Sequence, residues 1–156
     1  MAPVIHVEQS RTYPVAVEET FERLLPIPLP TLFATWFGPL PPIKAVEQDG
    51  TWGTVGQVRT IRLGDGGSMR ERLTSVEHPH RFDYEITGFA GALKPLVEKV
   101  DGAWVVDAVG TGSKVTWSWD LHPRGRVGAV LVPGIARLWP GYARGALARL
   151  ETLLLG

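Results

Sequence analysis

The chain has 156 residues, no cysteine and a formal net charge of zero. The lack of cysteine excludes disulfides, thiolate zinc sites and cysteine nucleophiles, and it fits a reducing cytoplasm. No lysine and arginine cluster is interleaved with aromatic residues, so the sequence predicts no nucleic-acid partner. We expect a single domain across residues 1–156, with a substantial core and no cofactor.

The first quarter of the chain predicts one strand and two short helices. Residues 4–13 have the alternation of a strand. Residues 17–25 place apolar side chains at helical spacing, with glutamates in the first turns, where the helix dipole favours them. Three prolines then prevent this helix from continuing, and a second short helix is expected over residues 31–37.

The middle of the chain predicts six more strands, separated by turns rich in glycine and proline. Their expected ranges are 43–48, 55–63, 68–77, 81–87, 96–109 and 114–122. Gly102 is expected to form a bulge within its strand. Because the loops between consecutive strands are short, the sheet should be antiparallel.

The C-terminal stretch, residues 126–155, predicts a long helix. Its large apolar residues from position 135 onward fall on one stripe, at Ile135, Trp139, Tyr142, Ala146, Leu150 and Leu153. Pro133 suits a first helical turn, and Pro140 should kink the helix or start it afresh. The stripe should cover the sheet and leave the polar face of the helix in solvent.

The charge and hydropathy of this helix indicate whether it could span or bind a membrane. The longest apolar run, residues 127–136, is too short to span a bilayer, so no integral membrane association is expected. From Leu121 onward five arginines oppose one glutamate, a balance of +4. Such a face is usually only solvated. The alternative is a peripheral membrane module that uses these arginines together with Trp139 and Tyr142.

The order of elements predicts an α+β fold. It consists of a curved antiparallel sheet of about seven strands, wrapped around a long C-terminal helix, with two short helices after the first strand. The terminal helix is the one predicted element large enough to cover the apolar face of the sheet.

Five segments, in their order and spacing, carry a resemblance to a known superfamily. They are residues 13–21, 53–59, 66–73, 77–84 and 112–117. They resemble the START-like, or SRPBCC, superfamily, in its polyketide cyclase/dehydrase and lipid-transport branch. The resemblance implies a helix-grip fold that encloses an apolar cavity between sheet and helix. Some members are cyclases or dehydratases, but the superfamily has no universal catalytic motif, so no catalytic residue is implied here.

Arg59 and Glu71 are the first candidate site residues. Alternation points both side chains inward, and a lone buried charge is very costly, so each should satisfy the other or a ligand group. A three-residue hairpin loop of Gly64, Asp65 and Gly66 would pair Arg59 with Glu71 across the strands. The functional interpretation is a polar anchor or an acid/base group with a shifted pKa. The alternative is a structural ion pair near the sheet edge.

The second set of candidates is apolar and aromatic. Six tryptophans are many for a chain of this length, and indoles are large, rigid and carry one donor. Together with Arg59 and Glu71, the candidate ligand-binding residues are Phe33, Trp36, Leu73, Tyr84, Trp104, Trp117 and Trp119. The alternative for each is plain core packing. No histidine or carboxylate spacing indicates a metal site.

Three functions compete on this basis. The first is a non-catalytic carrier or sensor of a small hydrophobic molecule: a lipid, a polyketide or an aromatic metabolite. The second is a polyketide cyclase, aromatase or dehydratase that uses Glu71, Tyr84 or Arg59 as acid/base or anchoring groups. The third is the peripheral membrane module described above. The first is our leading hypothesis.

Overall fold

The computed structural model describes residues 3–156, which form one seven-stranded antiparallel sheet and three helices. The strands are β1 (Ile5–Tyr13), β2 (Ile43–Glu47), β3 (Val58–Leu63), β4 (Ser68–Glu77), β5 (Arg81–Ala90), β6 (Val97–Val109) and β7 (Gly112–Pro123). The helices are α1 (Val17–Leu24), α2 (Leu29–Leu32) and α3 (Gly125–Leu155). The strand order is β1-β7-β6-β5-β4-β3-β2.

This architecture confirms the predicted α+β helix-grip fold. Strands β2 to β7 follow one another across the sheet, and β1 joins the far edge beside β7. The two short helices follow β1, and α3 packs against β1, β7 and α2. The core lies between the covered face of the sheet and the C-terminal half of α3, whose fully buried side chains include Trp139, Leu147 and Leu150.

The C-terminal end of α3 is fixed by hydrogen bonds from distant parts of the chain. The Tyr13 hydroxyl at the end of β1 donates to the Leu147 carbonyl at 2.6 Å. Arg23 of α1 donates to the carbonyls of Leu153 and Leu154. The last carbonyls of a helix have no intrahelical partner and carry partial negative charge, so a guanidinium there satisfies both needs.

Pro133 lies at another position in α3 than the sequence pattern predicted, and Pro140 does not begin a new helix. The helix begins at Gly125, directly after β7, so Pro133 lies in its third turn and not in its first. Pro140 does not start a new helix, because α3 continues from Gly125 to Leu155. Both prolines lack the N–H that would bond to the carbonyl four residues earlier.

The N-terminal half of α3 also corrects an expectation, because it exposes apolar side chains. Between residues 125 and 134 only Gly128 and Val132 are buried, while Val127, Val130 and Leu131 are exposed. The polar face is therefore not the only part of α3 that meets solvent. None of the helices in residues 3–156 has the length and hydropathy needed to cross a bilayer.

Three local predictions are wrong, each for a local reason. The second helix is Leu29–Leu32 instead of 31–37, because Pro30 fits a first helical turn and the chain leaves helical geometry at Phe33. Residues 55–57 form a turn ahead of β3, in which the Gln57 side chain accepts hydrogen bonds from the Gly53 and Thr54 amides. The bulge of β6 lies between Val97 and Lys99, not at Gly102.

Two valines on opposite faces of α3 test the packing of its N-terminal half. Val132→Ala should lower the free energy of unfolding by about 1–3 kcal/mol, because a fully buried side chain loses methyl groups from the core. Val130 is 75% exposed, so Val130→Ala should be neutral or slightly stabilising through helix propensity. Urea denaturation of both variants measures the difference. Equal losses would contradict the observed orientation of the helix.

Candidate functional site

A narrow pocket of about 90 Å³ lies between the covered face of the sheet and α3. Its wall is mostly aliphatic and aromatic, with contributions from α2, from strands β2 to β7, from α3 and from the loops around Leu40 and Leu93. The polar side chains in this wall are Arg59, Glu71, Tyr84 and Tyr142, together with the indole N–H groups of four tryptophans.

Most of the candidate residues from the sequence meet at this pocket. Its wall includes Phe33, Arg59, Glu71, Tyr84, Trp104, Trp117 and Trp119. Whether any of them binds a ligand stays a prediction.

Two candidates do not contribute to the wall. Trp36 is 54% exposed, because the helix expected to turn it inward does not form. Leu73 points to the same side of β4 as Glu71 but is fully covered in the core. The expectation that Leu73 lines the cavity is wrong, whereas a role for Trp36 in ligand binding stays a prediction.

The sequence patterns missed part of the wall. Ile135, Trp139 and Tyr142 of α3 contribute to it, and their positions on the predicted apolar stripe were the available signal. The loop residues Leu40 and Leu93 also line it. Neither lies in a periodic element, so no sequence pattern marked them.

The hairpin between β3 and β4 sets the register of the ion pair. Gly66 has a φ of +89°, a conformation that glycine adopts without strain, and the Leu63 amide donates to the Gly67 carbonyl at 2.9 Å. As a result Arg59 lies opposite Glu71, and Ile61 lies opposite Met69. The predicted three-residue loop and the predicted pairing are both confirmed.

Arg59 and Glu71 form a two-point ion pair with side chains only 4% exposed. Arg59 Nε donates to Glu71 Oε1 at 3.0 Å, and Nη2 donates to Oε2 at 3.3 Å. Nη1 donates to Gln48 Oε1 at 3.3 Å, and the guanidinium carbon lies 4.0 Å from the centroid of the Trp52 ring. Burial raises the pKa of Glu71 above its ordinary value, and Arg59 opposes that shift.

An aromatic cluster forms another part of the wall. Trp104 and Trp117 stack with centroids 5.1 Å apart and planes inclined by 12°. Trp117 also contacts Trp139 of α3 at 4.5 Å and Phe33 at 5.0 Å. Tyr142 stacks on Phe33. The cluster therefore joins β6, β7, α3 and the segment after α2.

Tyr84 connects this cluster to the interior of the pocket. Its Oη accepts hydrogen bonds from Trp117 Nε1 at 2.6 Å and from Trp119 Nε1 at 2.8 Å. Burial raises the pKa of Tyr84, so the phenol stays protonated at physiological pH.

Gly102 on β6 makes the position of Tyr84 possible. It lies opposite Tyr84 on one side and Trp119 on the other. A Cβ atom at Gly102 would lie 2.2 Å from the Tyr84 ring, so the glycine permits the ring to cross β6. Gly102 thus marks a close approach, the other common reason for glycine in a strand.

Trp139 and Tyr142, the aromatic residues proposed for membrane contact, instead make contacts inside the protein. Trp139 is 1% exposed within the aromatic cluster, and the Tyr142 hydroxyl donates to the Pro41 carbonyl at 2.9 Å. These contacts remove the basis for a membrane module built on Trp139 and Tyr142.

Comparison with known proteins places the chain by sequence and by structure. Residues 4–154 match the family model described as polyketide cyclase/dehydrase and lipid transport. No curated protein matches the chain in sequence.

The solved structures that are similar share the fold. The crystal structure of Ara h 8.0201 has a TM-score of 0.74 at 22% identity, covering 98% of this chain and 99% of that one. The ginseng major latex-like protein 151 from Panax ginseng has a TM-score of 0.71 at 15% identity, with coverage of 98% and 99%. A protein from Nitrosospira multiformis has a TM-score of 0.63 at 18% identity, with 97% of both chains covered.

A double-mutant cycle tests the buried ion pair. Arg59→Met or Glu71→Met alone should each cost about 3–5 kcal/mol, because the remaining charge loses its partner. The double variant should cost less than the sum of the two. Urea denaturation of the four proteins gives the coupling energy.

The exposed pair Arg62–Glu47 provides the matched control. It joins the neighbouring strands β2 and β3 at 2.8 Å, but both side chains are about half exposed. Its coupling energy should stay below about 1 kcal/mol. Additive losses at Arg59 and Glu71 would contradict the pairing.

Gly102→Ala tests the close approach of Tyr84. The added methyl group should displace the phenol ring, lower the free energy of unfolding by about 1–3 kcal/mol and remove the acceptor of Trp117 and Trp119. Urea denaturation and the indole N–H chemical shifts report these effects. Gly134→Ala, whose methyl group meets no atom within 4 Å, is the control. Unchanged stability and unchanged indole shifts in Gly102→Ala would refute the close approach.

Proposed function

The chain belongs to the polyketide cyclase/dehydrase and lipid-transport family of the START-like superfamily, and from this premise we propose that it binds a small hydrophobic molecule between the sheet and α3. The observation that carries the proposal is the composition of the pocket wall. Aliphatic and aromatic side chains cover nearly all of it, and a few buried polar groups are placed among them. Ligand pockets in proteins typically have this composition.

The size of the pocket narrows the ligand class. A dry engineered cavity of about 150 Å³ binds benzene, and the pocket here is about 90 Å³. Because the pocket is smaller than that cavity, even one aromatic ring requires the wall to widen, and a lipid chain or a whole polyketide requires more. Among the three ligand classes, an aromatic metabolite, or one ring of a larger molecule, therefore requires the least widening.

A second candidate function is acid/base catalysis, because Arg59, Glu71 and Tyr84 line the same pocket. A buried carboxyl with a raised pKa suits a general acid. Against this role, both oxygens of Glu71 accept hydrogen bonds from Arg59. Tyr84 is a poor general base because burial keeps it protonated. We therefore place binding ahead of catalysis. The expected location is the cytoplasm, which the lack of cysteine fits.

A substitution that fills the pocket tests the proposal. Toluene, a small apolar probe, should raise the melting temperature of the wild-type protein and change its tryptophan fluorescence. Ile135→Trp places an indole at the half-buried edge of the pocket on α3. This variant should fold and should bind toluene at least about tenfold more weakly, because the space is occupied.

The matched control is Val130→Trp, which adds the same side chain to the exposed face of the same helix. It should bind toluene as the wild-type protein does. If Ile135→Trp binds toluene with wild-type affinity, the pocket is not the binding site. Native mass spectrometry of protein from its own host separates the two functions, since an enzyme would convert the co-purified molecule on incubation.

A further inference from the structure

The O–H group of Tyr84 is not used as a hydrogen-bond donor within the described residues. Its oxygen accepts from two indole N–H groups, and an indole nitrogen can only donate. Both acceptor positions of the phenol oxygen are thereby used. In the described part of the chain, no group accepts the Tyr84 hydroxyl proton. Tyr84 can therefore serve a pocket ligand only as a donor.

A second donor without a partner belongs to the same aromatic cluster. Trp139 is 1% exposed, and its Nε1–H has no hydrogen-bond partner among residues 3–156. Its ring lies 4.5 Å from the ring of Trp117 and 6.1 Å from that of Trp119, and these are the two indoles that hold Tyr84. Trp139 also lines the pocket. A buried donor without a partner costs about 1–3 kcal/mol, which makes it a specific point of attraction for an acceptor.

The charged acceptor in the wall, the Glu71 carboxylate, is already engaged. Both carboxylate oxygens of Glu71 accept from Arg59. The buried side-chain atoms without partners in the described residues are two indole nitrogens, of Trp52 and Trp139, and Trp52 is not part of the pocket wall. The buried side-chain polar atom of the wall that has no partner at all is thus a donor, and the Tyr84 hydroxyl adds a second unused donor.

Charge distinguishes a neutral acceptor from an anionic one. The Glu71 carboxylate is close enough to Tyr84 to disfavour a second negative charge beside the phenol. Arg59 is already engaged by Glu71, Gln48 and Trp52, so no free cation is available there for an anion.

We propose that the ligand carries a neutral carbonyl oxygen, of a ketone, ester or amide, which accepts hydrogen bonds from Tyr84 Oη and Trp139 Nε1. This inference rests on the proposed binding function and specifies the ligand chemistry at that site. A carbonyl oxygen has two lone pairs and can accept both donors at once.

Two probes of nearly equal shape test this inference. Cyclohexanone presents a carbonyl oxygen, and methylenecyclohexane presents a methylene group in its place. The ketone should bind on the order of tenfold more tightly, from one or two hydrogen bonds in a dry site. In ¹⁵N-labelled protein, the Trp139 indole N–H signal should move downfield with the ketone and not with the alkene. The Trp52 signal serves as the internal control and should not move.

Variants assign the preference to named donors. Trp139→Phe keeps an aromatic ring and removes the N–H, so the preference for the ketone should fall several-fold while methylenecyclohexane still binds. Trp52→Phe removes an equally unpartnered N–H outside the pocket and should leave the preference unchanged. Tyr84→Phe is not the primary variant, because it also leaves Trp117 and Trp119 without their acceptor.

Each outcome has a definite consequence. Equal affinity for the two probes overturns the carbonyl inference and leaves apolar binding in place. No binding of either probe overturns the proposed function and this inference together. An undiminished ketone preference in Trp139→Phe excludes Trp139 as a donor. Tighter binding of cyclohexanecarboxylate than of cyclohexanone refutes the requirement for a neutral acceptor.

Discussion

The packing of the C-terminal half of α3 against the sheet is the interaction on which the rest of the structure depends. The sheet has one apolar face, and α3 is the one element in residues 3–156 long enough to cover it. Trp139, Leu147 and Leu150 supply the buried contacts. Tyr13 donates to the Leu147 carbonyl within the helix, and Arg23 bonds to two of the last carbonyls at its end. The pocket is the space that this packing leaves between helix and sheet.

Within that space, the buried polar groups are stabilised by different interactions. Arg59 and Glu71 neutralise each other at two points, which makes burial of both charges tolerable. Tyr84 is held by two tryptophans from β7, and it reaches them because Gly102 has no side chain. Arg59 and Glu71 are engaged with each other, whereas Tyr84 and Trp139 each retain a donor with no partner in the described residues. The ion pair and the aromatic cluster therefore differ in what they offer a ligand.

The two halves of α3 differ in how much of their apolar surface is buried. The C-terminal half is buried and sets the position of the cluster around Trp117. The N-terminal half exposes Val127, Val130 and Leu131, with Ile135 of the pocket wall one turn after Leu131. This exposed apolar surface runs along α3 up to the edge of the pocket. Large contiguous apolar patches are uncommon on the surfaces of monomeric proteins.

The sequence by itself determined the fold class, the antiparallel pairing of consecutive strands and the Arg59–Glu71 register, but not the pairing of β1 with β7. Alternation, short loops and one glycine-rich hairpin are local signals that each fix a side-chain direction, and a slip of one residue would have exposed the apolar face. Only the tertiary structure decided the true role of Gly102, the position of α2 and the pocket walls formed by Leu40 and Leu93. It also decided that Trp36 and Leu73 lie outside the wall. These features depend on contacts between side chains of elements that are far apart in the sequence. Local hydrophobic periodicity does not specify such contacts.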